Sequence, residues 1–381
     1  MADPTLELLR DLVAIDSINP SLVPSGGGEG EIARAVEAEM RSIGLDVEVA
    51  EVAPGRPNVV GVLAGRGPGR SLLLCGHLDT VGVEGMAAPF DPVERDGRLY
   101  GRGAQDMKGG VAAMIGAARR VAESGGLAGG RLIVAAVMDE EYASAGAEAL
   151  VRGGWSADAA VVTEPTDLAL GMGHKGFSWI EVAVEGRSAH GSLPSEGRDA
   201  ILRMGRVLSR LEKLDRELQA RTPHPILGTG SLHASLIQGG RELSSYPDRC
   251  VLQMERRTVA GETGATAAAE IEAVLADLRA EDPELRAACR LFFERPAYET
   301  PAGHPLPRLL EDAVGRIGRS TRRIGLTFWT DAAVLDRAGI PVVLFGPGGA
   351  GLHSAEEYVR IEEVLACRDA LAELAKEFCG S

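Results

Sequence analysis

Four short apolar runs constrain this chain most: SLLLC at 71–75, RLIVAAVM at 131–138, AAVVT at 159–163 and PVVLFG at 341–346. Each is continuous, none exceeds eight residues, and polar residues, Gly or Pro bound them. A strand apolar on both faces must be covered on both, which is the situation of a parallel sheet between helical layers. Around these runs the spacing turns helical, at 5–16, 29–43, 108–123, 305–318 and 356–378; Ile32, Val36 and Met40 recur every fourth position. Two further runs, 46–52 and 58–63, read as strands. The alternation predicts an α/β layer with a central, mostly parallel sheet.

Near residue 177 the texture changes. The segment 178–185 (SWIEVAVE) alternates apolar and polar, the mark of a sheet wet on one face. A helical stretch at 198–220, strands at 231–238 and 249–256, a helix at 264–280 and a strand at 287–293 follow. That order is β-α-β-β-α-β, the ferredoxin-like arrangement. The expected organisation is one α/β domain in two segments, 1–176 and 294–381, interrupted by a smaller α+β insertion at 177–293.

Composition excludes several classes of function. The net charge is −15, only four of the 40 basic residues are Lys, and there is no basic run. Nucleic-acid phosphates want clustered Lys and Arg, so no nucleic-acid partner is expected. No stretch approaches the ~20 apolar residues of a membrane span. The first residues, MADPTLELLRDLVAID, lack the basic-then-apolar pattern of a secretory signal. Five Cys, far apart and without a CxxC pair, read as reduced thiols of a cytoplasmic protein.

Ligands of open α/β sheets bind at the carboxyl ends of the strands. Behind the four runs stand His77 and Asp79, the triplet Asp139-Glu140-Glu141, Glu164, and a Gly-rich turn leading to His353. A fifth loop, GRGAQD at 101–106, puts Asp106 ahead of a helix. Taken singly, each has an ordinary explanation: a satisfied histidine, a solvated helix start, an N-cap for Asp106. The loop is a poor dinucleotide fingerprint, with Asp in the last glycine position. There is no GxSxG elbow for a nucleophile. Together the set suits a divalent metal, since mixed His and carboxylate donors hold zinc and similar ions. A two-metal centre needs about five donors, and His77, Asp106, Glu141, Glu164 and His353 make five. Asp79 is placed to orient the His77 imidazole, and Glu140 is free to act as a general base.

These residues lie in stretches that resemble the M20 family of metallo-aminoacylases and carboxypeptidases. The stretches are GHLDTV (76–81), YGRGAQDMKGG (100–110), MDEE (138–141), TEPT (163–166), GRSAHGSLP (186–194), ERRTVAGET (255–263) and HSAEEYV (353–359). The resemblance implies two divalent ions, zinc first, with cobalt or manganese compatible with such donors. His77 and Glu164 would hold one ion, Glu141 and His353 the other, and Asp106 would bridge them, followed by a cis peptide to Met107. His190 would stabilise the oxyanion and Arg257 would pair with a substrate carboxylate. Arg256 would alternate to the other strand face and meet solvent. Lys175 and Thr330 would line the site. Ser244 departs from the family pattern, standing where many relatives carry a substrate-binding Asn. The activity implied is cleavage of an amide bond beside a free carboxylate, in an N-acyl amino acid or, alternatively, a short peptide. The resemblance also makes the α/β domain catalytic and the 177–293 insertion a lid, and implies a homodimer through that lid. A non-catalytic metal-binding protein on the same fold is the rival from another class.

Overall fold

The computed structural model describes residues 3–380. The chain divides into two compact units. One takes the chain up to Met172, Thr300–Ile324 and the chain from Thr330 onward; the other is Gly173–Glu299 with Gly325–Trp329.

The first unit is built on a mixed sheet. Its strand order is Asp46–Ala53, Arg56–Ala64, Arg131–Val137, Ser71–His77, Ala159–Val162, Val342–Leu344 and Leu170–His174. The middle strands Arg131–Val137, Ser71–His77, Ala159–Val162 and Val342–Leu344 run parallel, and the flanking pairs are antiparallel. Register is what positions the site. His77 pairs with Val137 and Cys75 with Val162, so the middle strands end level. The residues that follow them emerge along one edge.

Helices Pro4–Ala14, Gly109–Glu123 and Ile361–Cys379 supply much of the apolar cover, with Leu12, Met114, Leu371 and Phe378 wholly or almost wholly buried. Gly109–Glu123 is buried on nearly every side. It can approach the sheet because Gly110 has no side chain: a Cβ there would stand 2.0 Å from the Thr163 carbonyl oxygen.

Two boundaries differ from the sequence reading. The last helix begins at Ile361 and not 356, because Tyr358–Arg360 pairs as a strand with Arg98–Tyr100. A kinked turn, Ala104–Lys108, precedes Gly109–Glu123, with Asp106 (φ −119°, ψ 95°) and Met107 (φ −129°, ψ 35°) outside helical geometry. Among the described residues, no helix is long and apolar enough to cross a membrane.

The second unit is a four-stranded antiparallel sheet in the order Ser231–Gly239, Arg249–Thr258, Gly176–Glu185, Arg286–Arg295. Helices Ala200–Ala220 and Gly264–Glu281 complete the ferredoxin-like pattern. Asp199 caps the first helix and a Thr263–Thr266 capping box the second. Ile180, Val182 and Val184 alternate inward against Met204, Val207, Ile271 and Leu275. Arg256 shares that inward face, which corrects the expectation that it meets solvent. It is 1% exposed and paired with Glu262 at 3.0 Å and Glu270 at 3.1 Å. The two arginines do alternate, but the Arg256 side is the one it shares with Cys250, Leu252 and Met254 on the buried face.

Candidate metal centre

The level strand ends deliver His77, Glu140, Glu141 and Glu164 to one place. His77, Asp106 and Glu141 offer donor atoms within 4.8 Å of one another, and so do His77, Glu140 and Glu164. His77 Nε2 lies 3.2 Å from Asp106 Oδ1 and 3.9 Å from Glu164 Oε1. His353 Nε2 lies 3.5 Å from Asp106 Oδ2 and 3.3 Å from Glu141 Oε2. Asp106 therefore presents a different oxygen to each histidine. The Asp106-Met107 peptide is cis, and His353 adopts a left-handed backbone with φ of 56°.

The donors fit a metal on their own chemistry. His77 Nδ1 is 2.9 Å from the Asp79 carbonyl oxygen, an acceptor only, so this nitrogen carries the proton. In the neutral imidazole Nε2 then has only a lone pair, and it faces carboxylate oxygens. Lone pairs and carboxylates pointed at one another call for a cation between them. The charge state of the cluster says the same. Burial lowers the His77 pKa, yet Asp106, Glu164, Glu140 and Asp79 outweigh it and hold the ring well above its ordinary value. Hydrogen bonds to Asp106 and Glu141 push His353 up to about 10. Burial, and then the Glu164 charge, raise Glu140 well above the usual carboxylate range; burial and Asp106 do the same to Glu164. Burial also raises Asp106, but its bonds to His353 and His77 win and hold it well below.

Asp79 works differently from the sequence expectation. Its carboxylate is 3.6 Å from His77 Nδ1, while its backbone carbonyl makes the close contact. The carboxylate oxygens accept the consecutive N–H groups of Glu140 at 3.0 Å and Glu141 at 3.1 Å, and Asn19 Nδ2 at 2.8 Å. Two residues apart on one turn, the carbonyl reaches the ring first, and the side chain is left to hold the Glu140-Glu141 turn. Burial pushes the Asp79 carboxyl up to about 7.

Sequence reasoning missed two supports. Glu357 was read as the start of a helix, but it is buried and accepts the N–H groups of Gln105 at 2.9 Å and Asp106 at 3.1 Å. Its other oxygen meets Arg102 Nη1 at 2.6 Å and Gly103 N–H at 3.0 Å. The second support is Asn19. The one signal for Glu357 is that, inside the motif HSAEEYV, a carboxylate follows His353 by four residues.

Thr330 is buried in the first unit, and its hydroxyl accepts the Ala332 N–H at 3.2 Å. The other expected residues stand in the second unit. His190 is exposed, with Nδ1 2.8 Å from the Ser192 hydroxyl. Ser244 lies beside it, its carbonyl accepting the Gly191 N–H at 2.7 Å. Arg257 Nε is 2.6 Å from Glu255, and its guanidinium sits over the Phe177 ring at 5.1 Å. Lys175 Nζ donates to the Thr229 carbonyl at 2.7 Å, and burial, then Arg257, lower its pKa.

An α/β sheet with two histidines and four carboxylates converging at its carboxyl edge, interrupted by an α+β unit, defines a metal-dependent hydrolase. The chain belongs to the peptidase family M20/M25/M40, which matches it over residues 73–377. It is 32% identical to an acetylornithine deacetylase from Myxococcus xanthus, over 98% of this chain and 97% of that one. It is 29% identical to an N-formyl-4-amino-5-aminomethyl-2-methylpyrimidine deformylase from Bacillus subtilis, over 98% and 94% of the two chains. Among solved structures, the YxeP protein of Bacillus subtilis, described as a dinuclear metal binding peptidase of the M20 family, superposes with a TM-score of 0.77 at 18% identity, covering 99% and 98%.

Proposed function

We propose that this chain hydrolyses the amide bond of an N-acyl amino acid, using two divalent ions, zinc in the first instance. His77 and Glu164 hold one ion, Glu141 and His353 the other, and Asp106 lies between. The observation that carries the reading is the seating of Glu140, whose carboxyl groups with His77 and Glu164 while Asp79 grips its backbone. When bound, the ions supply Lewis acidity to the substrate carbonyl and the attacking water. Glu140 accepts the proton of that water as its oxygen adds to the acyl carbon. The C–N bond breaks, and Glu140 returns the proton to the leaving amine nitrogen. By family motif alone, His190 is assigned to the oxyanion, Arg257 to the substrate carboxylate, and Lys175, Thr330 and Ser244 to substrate contact. A homodimer through the second unit and a cytoplasmic location complete the proposal.

The likeness to a deacetylase over nearly the full chain supports the acyl-amino-acid substrate. The deformylase likeness favours a second reading, an N-formyl amine without a carboxylate. The test is a panel of N-acetyl, N-succinyl and N-formyl amino acids, N-formyl amines and dipeptides, assayed on chelated protein reloaded with zinc, cobalt or manganese. Turnover of N-acyl amino acids only after reloading is expected; preference for dipeptides would make the chain a peptidase. Glu140→Gln should lose about 10²–10⁴-fold in kcat and still bind metal. A Glu140→Gln protein of full activity, or no metal-dependent turnover on any compound, refutes the proposal.

A further inference from the structure

Behind the site's carboxylates lies a buried polar network that the reaction above does not use. Glu29, at the N-cap of helix Gly30–Ser42, is wholly buried. It receives the Arg56 fork, Nε to Oε2 at 2.6 Å and Nη2 to Oε1 at 2.6 Å. The same Nη2 donates to Asp139 Oδ1 at 3.0 Å, and the Asp139 N–H returns to Glu29 Oε1 at 3.1 Å. Asn19 Nδ2 divides its two hydrogens, one to Asp139 Oδ1 at 3.0 Å and one to Asp79 Oδ2 at 2.8 Å. Asp79 in turn holds the Glu140 and Glu141 N–H groups. An unbroken line of hydrogen bonds thus runs from Arg56 to the two glutamates.

The geometry explains why such a line is needed. Neighbouring residues of an extended chain point to opposite sides. Here Glu140 and Glu141 both reach donor distance of His77. The chain achieves this by turning at Asp139, whose φ is +68°. A left-handed residue other than Gly persists where its surroundings over-determine it. The side chains around it are Arg56 and Asn19 on the Asp139 carboxylate and Glu29 on its N–H, beside the Ala145 N–H on the carboxylate at 3.4 Å and the Ala143 and Ser144 N–H groups on its carbonyl at 3.1 and 2.6 Å. Charge supports the same assignment. Arg56 is the cation that joins Glu29 to Asp139, and without it two buried carboxylates would be left with neutral donors and no counter-charge.

We infer that Arg56 and Asn19 are positioning residues: through Glu29, Asp139 and Asp79 they hold the turn that aims Glu140 at the substrate's proton transfers and Glu141 at a metal. The inference rests on the reading of Glu140 as proton carrier and Glu141 as metal donor. Outer partners of a metal site typically govern metal affinity or rate by about 10–100-fold.

The experiment uses the full chain with Arg56→Ala, Arg56→Lys and Asn19→Ala. Rates are measured at saturating zinc, and zinc affinity is measured on the chelated protein by competition with a chromophoric chelator. Arg56→Ala and Asn19→Ala should each lower kcat by about 10–100-fold with KM within about twofold of wild type. One of two zinc equivalents should bind more weakly by a similar factor. Arg56→Lys, which keeps the charge and loses the fork, should fall between. In a Glu140→Gln background, Arg56→Ala should cost little further rate. Added guanidinium should restore part of the Arg56→Ala rate. If Arg56→Ala does not fold, Asn19→Ala carries the same test. Variants that melt lower but keep wild-type kcat and zinc affinity would make the network structural and overturn the inference. An inactive Glu140→Gln beside a fully active Arg56→Ala would overturn it alone. A fully active Glu140→Gln would overturn the underlying reading and the inference with it.

Discussion

At the scale of single residues, His353 holds a proton that a bound metal would have to displace. His353 is raised to about 10 and His77 well above its ordinary value by the carboxylates around them. In the chelated protein a pKa of about 10 makes His353 an imidazolium at pH 7. A group whose pKa is raised by folding contributes stability that is complete below its unfolded value and lost as pH rises through the folded one. For His353 that window runs from the ordinary 6.5 to about 10. Lys108 has the opposite sign: burial lowers it to about 7, so it favours the folded chain increasingly as pH rises toward its ordinary 10.5. Comparing His353→Gln with wild type removes that background. The wild-type chelated protein should lose more stability between pH 6.5 and 10 than His353→Gln does, read as melting temperature against pH. An identical slope in the two proteins would contradict the pairing of His353 with Asp106 and Glu141. Metal loading should release protons near neutral pH, measured calorimetrically in buffers of different ionisation enthalpy. The donors themselves were legible in sequence because a buried strand marks its own end, apolar until Val137 or Val162 and then abruptly acidic. Their supports were not. Asn19, Glu29, Arg56 and Glu357 are ordinary polar residues until the fold buries them.

At the scale of elements, the segments that carry Asp106 and His353 are tied together by one buried ion pair. Arg102 precedes the kinked turn Ala104–Lys108, and Glu357 precedes the strand Tyr358–Arg360. The two side chains are 2% and 1% exposed. Arg102 also donates to the carbonyls of Gly82 at 2.9 Å and Ser354 at 3.1 Å. Glu357 takes four donors, three of them backbone N–H groups of the turn. A Glu357→Gln side chain keeps the size, but it turns an amide NH2 toward those donors and leaves the Arg102 charge unbalanced. Breaking a buried pair this way costs about 3–5 kcal/mol. Denaturant unfolding of Glu357→Gln should show a loss of that order, with weaker metal binding, because Asp106 loses the contact that fixes its N–H. A change under about 1 kcal/mol would mean that the turn is held elsewhere. Helical spacing across 356–378 hid this arrangement, since Glu356 and Glu357 look like the acidic first turn that helices favour. Only the pairing of Tyr358–Arg360 with Arg98–Tyr100 takes Glu357 out of the helix.

At the scale of the whole molecule, the described residues include two hydrophobic clusters that share no residue, one in each unit. One runs from Leu8 to Cys379 through the first unit, and the other from Ile180 to Leu285 through the second. Period revealed both: continuous runs for the sheet covered on two faces, alternation for the sheet covered on one. The excursion Gly325–Trp329 into the second unit was not legible, since five residues are too few to carry a period. All five expected metal donors, with Glu140 and its supports, belong to the first unit. That placement has a thermodynamic consequence. An ion that binds only the folded state stabilises whatever must fold to form its site, by about 2.7 kcal/mol at a hundredfold excess over Kd. The second unit contributes no donor to the clusters His77-Asp106-Glu141 and His77-Glu140-Glu164. Scanning calorimetry should therefore resolve two transitions, and chelation should lower the one belonging to the first unit. A Met204→Ala substitution in the second core, costing about 2–5 kcal/mol, should lower the other and leave the chelator-sensitive one in place. If chelation and Met204→Ala instead moved a single transition together, the two cores would unfold as one cooperative body.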